Sequence, residues 1–200
     1  MPNLNTKLSS LRICISSGET LSPSLVNLFH ATLPGRKLVN LYGSTEVAGD
    51  VTFHVTCPRE NQLYSVIGKP IANVQLYVLD EEMRQTNIGQ EGELFVGGLG
   101  LSIGYLNDKS LTSNRFISTN SFSNSRLFRT GDLVKYNPDG NLVFLGRRDN
   151  QVKVRGFRVN LEEVESVILL HPLVDKAVAV LWENGGSNNR LICYVQGIKY

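Results

Sequence analysis

The spacing of hydrophobic positions changes along the chain, and the changes divide it. Leu11–Ser17 (Leu-Arg-Ile-Cys-Ile-Ser-Ser) is a short β-rich run that ends at Gly18. Ser22-Pro23 then opens a helix. The serine can cap the first turn, and proline fits there because its missing N–H would be unpaired anyway. Leu25, Val26, Phe29 and Leu33 recur at helical spacing until Pro34-Gly35 stops the run. Lys37–Leu41 reads as the next strand. Strand–helix–strand predicts a parallel βαβ unit, whose ligand edge lies at the carboxyl ends of the strands. Gly43 to Glu46 falls at that edge.

From about Val66 to Gly146 the pattern is mainly β. Val74–Asp80 and Glu93–Gly97 are strand-like, and glycines punctuate Gly89–Gly104. Leu133–Tyr136 and Asn141–Leu145 flank Asn137-Pro138-Asp139-Gly140, a strong hairpin signal. Thr119–Asn124 is Ser/Asn-rich and reads as an exposed loop. After Asp149 the pattern is mixed again. Asn160-Leu-Glu-Glu163 resembles a capping box, with Asn160 as cap and Glu163 reaching back. Leu161, Val164, Ile168 and His171 then share one helical side, and Val174–Trp182 and Leu191–Gln196 read as strands joined across Asn184–Asn189.

Bulk properties exclude several classes. The hydrophobic fraction of 42% and charged fraction of 19% fit an ordinary soluble globular chain. A net charge of +2 gives no global case for nucleic acid. No run of eighteen apolar residues predicts a membrane span, and the N-terminus has no signal-peptide pattern. Cys14, Cys57 and Cys193 are odd in number and widely spaced, without a metal-ligand or disulfide framework. Cys14 and Cys193 lie in apolar runs, which predicts small buried thiols in a reducing, cytoplasmic setting.

Four segments carry chemistry. Asn40-Leu-Tyr-Gly-Ser-Thr-Glu46 combines a planar ring, a permissive glycine, a hydroxyl and a carboxylate at a strand end. Such a set can stack a purine, meet a phosphate and hold Mg²⁺ through oxygen, or it can be a polar turn. Gly92-Glu-Leu-Phe-Val-Gly-Gly-Leu-Gly100, followed by Gly104-Tyr-Leu, reads as structural; as a phosphate loop it lacks a following Gly-Lys-Ser/Thr. Arg129-Thr-Gly-Asp132 places a carboxylate at a strand start, which suits ribose hydroxyls or a surface salt bridge. Residues 147–158 hold five cations against one acid, Asp149. A solvated hairpin or a nucleic-acid patch would account for the charge, but Phe157 is the only aromatic among the cations.

Together these motifs resemble the adenylate-forming enzymes: acyl-CoA synthetases, luciferases and the adenylation domains of nonribosomal peptide synthetases. Tyr42-Gly-Ser-Thr-Glu46, Phe128-Arg-Thr-Gly-Asp132 and Gly146-Arg-Arg-Asp-Asn-Gln-Val-Lys-Val-Arg-Gly-Phe-Arg158 carry the likeness. Ser44 stands where the family often has proline, and Ile103 where it usually has arginine. The resemblance implies an α/β plus β fold. Residues 1–148 would be the later part of a large AMP-binding domain, with the end of a βαβ subdomain at 8–62 and a β-barrel-like subdomain at 63–148. Residues 149–200 would begin a small α+β lobe that swings on Asp149, with about fifty residues, thin for an independent core.

The resemblance also implies roles. Tyr42 would flank adenine, with Gly43 beside it. Thr45 would meet the α-phosphate, Glu46 would bind Mg²⁺, Asp132 would hold the ribose and Arg147 would add a second nucleotide contact. Lys153 and Gly156 would face substrate and thiol in a second, thioester-forming conformation. Ile15, Ser17, Leu41, Gly49 and Asp50 would line the substrate pocket, and this subset resembles that of β-alanine-activating domains, with Asp50 anchoring the ammonium. The implied cofactors are ATP and Mg²⁺. The implied acceptor is CoA or the phosphopantetheine arm of an acyl-carrier domain, and the substrate a small carboxylic or amino acid. The family's phosphate-gripping loop would precede residue 1 and its terminal catalytic lysine would follow Tyr200, so this polypeptide is expected to be inactive alone. A general acyl-CoA synthetase and a non-catalytic nucleotide-binding remnant are the alternatives.

Overall fold

A computed structural model describes residues 4–58, 63–119, 125–182 and 189–198. It divides into two compact units, Met1–Arg148 and Asp149–Tyr200. The first unit opens with a short helix α1 (Leu4–Lys7), then β1 (Ile13–Ser16), α2 (Pro23–Thr32) and β2 (Lys37–Ser44). β1 and β2 are parallel, as the spacing predicts. The Ser22 hydroxyl accepts the Leu25 N–H at 3.3 Å and Pro23 occupies the first helical position. Val26 of α2 packs with Leu21 and Leu38 into a small core, with Cys14 and Phe29 against it. Leu25, expected on this apolar side, is half exposed instead.

β2 runs three residues past its predicted end. A single 3₁₀ turn (Thr45–Val47) leads into β3 (Gly49–Val55), which pairs antiparallel with β2. The remaining elements are β4 (Ser65–Pro70), β5 (Val74–Leu79), β6 (Gly92–Gly98), α3 (Lys109–Arg115), β7 (Phe116–Thr119), β8 (Ser125–Tyr136) and β9 (Leu142–Arg147). Strand order is β1-β2-β3-β4-β9-β8-β6-β5, with β7 on β8, so the βαβ part and the β-rich part share one nine-stranded sheet. β4 makes the join. Its end pairs with β3 (Thr52↔Pro70) and its start with β9 (Ser65↔Phe144). Gly68, at the changeover, has φ +84°, and a Cβ there would meet the Phe53 carbonyl at 2.0 Å. The main core, including Leu94, Val96, Phe128, Val134 and Leu142, fills one side of these strands.

The predicted Asn137–Gly140 hairpin joins β8 to β9. Thr119 ends β7, and the rest of the expected Ser/Asn loop lies outside the described residues.

In the second unit the cation-rich stretch becomes a hairpin of β10 (Gln151–Val154) and β11 (Phe157–Asn160). Its two turn residues, Arg155 and Gly156, both have positive φ, at 52° and 81°. That conformation matches the twist of a two-residue hairpin and favours glycine. α4 (Leu161–Leu169) follows, then β12 (Val174–Trp182) and β13 (Arg190–Gly197), an antiparallel pair. Asn160 caps α4, but through the Glu162 N–H at 3.1 Å, one residue earlier than a capping box requires. His171 lies beyond the helix rather than on its face, because α4 closes at Leu170. Cys193 is exposed rather than buried, since β13 has β12 along one edge and its Cys193 face open; Cys14 is half-buried. Most of the expected Asn184–Asn189 connection lies outside the described residues.

Candidate active site

Tyr42 and Asp132 stand ninety positions apart in sequence and meet in the first unit, where the Tyr42 hydroxyl donates to Asp132 Oδ2. Arg147 Nη1 donates to Asp132 Oδ1 at 2.6 Å, and its Nη2 donates to the Thr130 carbonyl at 3.1 Å. The register of β8 on β9 sets Asp132 opposite Arg147. This pair is no surface salt bridge: the two side chains are 18% and 9% exposed. Burial, reinforced by the Asp132 charge, pushes the Tyr42 phenol well above its usual pKa. The phenol therefore stays a donor at neutral pH.

Asp132 lies inside β8 rather than at a strand start, because the strand begins at Ser125; the stretch before it, where Gly131 has φ +80°, is held by side-chain bonds. Thr130 Oγ1 donates to the Leu94 carbonyl at 2.7 Å and accepts the Asp132 N–H at 3.0 Å. Glu93, buried on β6, accepts Arg129 Nε and Nη2, both at 2.9 Å, and the Gly131 N–H at 3.2 Å. The sequence pattern marked Gly92–Gly100 as structural and did not mark Glu93. Its signal was an acid inside an apolar run, which on burial needs a cationic or N–H partner.

Thr45 is exposed and Glu46 is 9% exposed, at the 3₁₀ turn after β2. Tyr105 Oη donates to Glu46 Oε1 at 2.8 Å. Gly43 makes the turn possible: a Cβ there would lie 1.7 Å from the Gly49 carbonyl. The same hairpin sets Gly43 opposite Asp50 and Ser44 opposite Gly49.

Of the expected pocket residues, Ser17 and Asp50 touch: the Ser17 hydroxyl donates to Asp50 Oδ1 at 3.0 Å. Leu41 is half-buried opposite Phe53, and Ile15 is 65% exposed. The described residues thus leave this patch open. In the second unit, Lys153 pairs with Arg158 across the β10–β11 hairpin, Gly156 sits at its turn, and Asp149 Oδ1 accepts the Gln151 N–H at 3.4 Å.

Residues 2–106 match the AMP-binding enzyme family. The chain belongs to this family. It is 46% identical over 202 residues to malpibaldin synthetase of Mortierella alpina, covering 98% of this chain and 4% of that protein. Among solved structures it is similar to PA1221, an NRPS protein containing adenylation and PCP domains, with a TM-score of 0.85 and 31% identity over 96% of this chain and 39% of that one. It is also similar to the Vibrio cholerae adenylation domain AlmE in complex with glycyl-adenosine-5′-phosphate, with a TM-score of 0.83 and 30% identity over 93% of this chain and 36% of that one. The chain thus spans a small part of the curated relatives it matches.

For an AMP-binding enzyme the fit of Mg²⁺ rests on the donor set. Among the described residues no group of three metal-ligating side chains occurs. Mg²⁺ commonly takes one or two carboxylates, leaves the rest to water and substrate phosphates, and rarely uses an all-protein cage. Glu46, held by Tyr105, fits an ion shared with a polyphosphate. Among the described residues no helix is long and apolar enough to cross a membrane.

Proposed function

We propose that this chain is the nucleotide-binding part of an ATP-dependent ligase that activates a carboxylate as its adenylate. The carboxylate oxygen attacks the α-phosphorus of ATP, the bond to the β-phosphate oxygen breaks, and pyrophosphate leaves. Mg²⁺, when bound with ATP, would supply charge neutralisation at the phosphates. Thr45 would donate to the α-phosphate and Glu46 would hold the ion. Tyr42 would lie along adenine.

The observation that carries the reading is the part-buried Tyr42–Asp132–Arg147 constellation, assembled from two of the motifs and the start of the third. A carboxylate has about four lone-pair sites. Tyr42 donates to one oxygen and Arg147 to the other, and this orientation suits the carboxylate to accept ribose hydroxyls. The test is nucleotide affinity. Asp132→Ala should weaken binding of a fluorescent ATP analogue by about 10- to 100-fold, the worth of a charged hydrogen bond. An unchanged dissociation constant in a folded variant would remove Asp132 from the site.

The finer reading is β-alanine as substrate. Asp50 is already oriented by Ser17 and lies opposite Gly43, so an ammonium two carbons from the reacting carboxylate could reach it. In the full-length enzyme, Asp50→Asn should lower β-alanine-dependent ATP–pyrophosphate exchange about tenfold, as a charge-assisted bond becomes neutral. Propionate-dependent exchange should change little. Transfer of the acyl group to a phosphopantetheine thiol, with Asp149 as hinge and Lys153 and Gly156 turned toward the thiol, completes the proposal. The adenylation–PCP arrangement of PA1221 supports a carrier as acceptor.

A further inference from the structure

We infer that Tyr105 is a positioning residue for Glu46, and that the loop segment 99–105 presents the Thr45-Glu46 turn to a metal-bound triphosphate. The inference deepens the reading proposed above and rests on it. Three bonds run from this loop to the turn. Tyr105 Oη donates to Glu46 Oε1 at 2.8 Å, the Ser102 N–H donates to the Glu46 carbonyl at 2.9 Å, and Ser102 Oγ donates to the Thr45 carbonyl at 3.3 Å. All three converge on the two residues assigned to phosphate and metal. Gly100 packs against the next one: a Cβ there would sit 3.0 Å from the Val47 carbonyl.

The turn needs such support. It is a single 3₁₀ turn of three residues that closes at Ala48 in the left-handed region. So short a turn leaves carbonyls without internal partners, and its own hydrogen-bond geometry is poor. The loop gives the Glu46 carbonyl a partner, adds a second to the Thr45 carbonyl, which already accepts the Ala48 N–H at 3.3 Å, and is itself braced. Arg126 Nη1 and Nη2 donate to the Ser102 and Ile103 carbonyls, each at 2.6 Å, while the guanidinium lies 4.3 Å from the Phe116 ring centre. Phe116 in turn meets the Tyr105 ring edge-on at 5.8 Å, and the Tyr105 N–H donates to Thr112 Oγ1 at 2.9 Å. Tyr105 is thus held at backbone and ring, so its hydroxyl selects one orientation of the Glu46 carboxylate.

The experiment measures ATP affinity as a function of Mg²⁺, alongside AMP affinity without metal, for wild type, Tyr105→Phe, Arg126→Met and Glu46→Gln. Phenylalanine keeps the ring against Phe116, and thermal melting checks each fold. Tyr105→Phe is expected to raise the Mg²⁺ concentration for half-maximal effect about tenfold, from loss of one bond to a charged group. Metal-free AMP affinity should stay within about twofold. Arg126→Met, which frees the loop carbonyls and leaves Tyr105 intact, should move the same parameter the same way and keeps the test decisive if Tyr105→Phe misfolds. A Mg²⁺ dependence equal to wild type in the folded variants, or an equal loss with and without metal, would overturn the inference. Glu46→Gln separates the two levels. If it abolishes the Mg²⁺ dependence while the loop variants do not change it, only the Tyr105 role falls. If Glu46→Gln itself leaves the dependence intact, Glu46 is not the metal residue and the Tyr105 role falls with it.

Discussion

Glu93→Gln is the substitution that most directly probes how the β8 segment before Asp132 is held. Glu93 is 4% exposed and accepts both Arg129 nitrogens and the Gly131 N–H. Glutamine keeps the shape but turns one acceptor into an N–H₂ donor that faces another donor. Breaking a buried ion pair by removing one partner costs about 3–5 kcal/mol. The Arg129 side chain is 43% exposed and can turn toward water, which lowers the expected cost to about 2–3 kcal/mol. For a chain of this size that is a fall in Tm of about 4–12 °C. Urea unfolding should give a lower midpoint with an unchanged slope. A double-mutant cycle with Arg129→Met should return a coupling of at least about 1 kcal/mol. A Glu93→Gln protein within about 0.5 kcal/mol of wild type would refute the reasoning, because surface substitutions already span that range.

Three further outcomes follow from single residues. The Tyr42 phenol is held above its unfolded value near 10, so the stability it contributes is full below about pH 10 and is lost as pH rises through the folded value. Tyr42→Phe should therefore flatten the alkaline fall in urea midpoint, with Tyr136, also raised by burial, leaving a residual slope of the same sign; parallel pH profiles would contradict this. Gly43→Ala places a Cβ 1.7 Å from the Gly49 carbonyl and should cost at least about 2 kcal/mol, with faster hydrogen exchange in β2 and β3; wild-type exchange there would exclude the close approach. In the full-length enzyme, Asp149→Pro should spare pyrophosphate exchange and block thioester formation, since proline fixes φ near −65°; equal loss of both half-reactions would argue against a hinge at Asp149.

The parts of the fold that were legible in the sequence are those whose signals are local. Ser22, Pro23 and the apolar spacing of α2 act within a few residues, as do Asn137–Gly140 at the β8–β9 turn. The join between the two parts of the first unit is not local. It depends on β4 pairing with β3 at one end and β9 at the other, and its single sequence trace is Gly68. The errors have the same origin. His171 continues the α4 spacing but falls after the helix closes, and Cys193 lies in an apolar run yet is exposed. Hydrophobic spacing reports which side of an element is apolar, not what covers it.

The site divides along the same line. Tyr42, Glu46 and Asp132 could be chosen by residue type and motif, but their supports arise from strand register and loop packing. Tyr105 reaches Glu46 across 59 positions, and Glu93 reaches Arg129 across 36. Glu93 still had a readable trace. An ionised acid flanked by Leu94, Phe95 and Val96 is buried only at high cost unless a neighbouring element brings a cation. Arg129, itself preceded by the buried Leu127 and Phe128, is such a cation. Two opposite charges, each next to an apolar β run, predict that the runs are neighbours. β6 and β8 do pair, but with Phe95 opposite Arg129 and Glu93 opposite Leu133, so the charges meet across a register shift that the pair alone does not fix. Tyr105 had no equivalent trace, because a neutral hydroxyl after a glycine carries no comparable penalty and so imposes no partner.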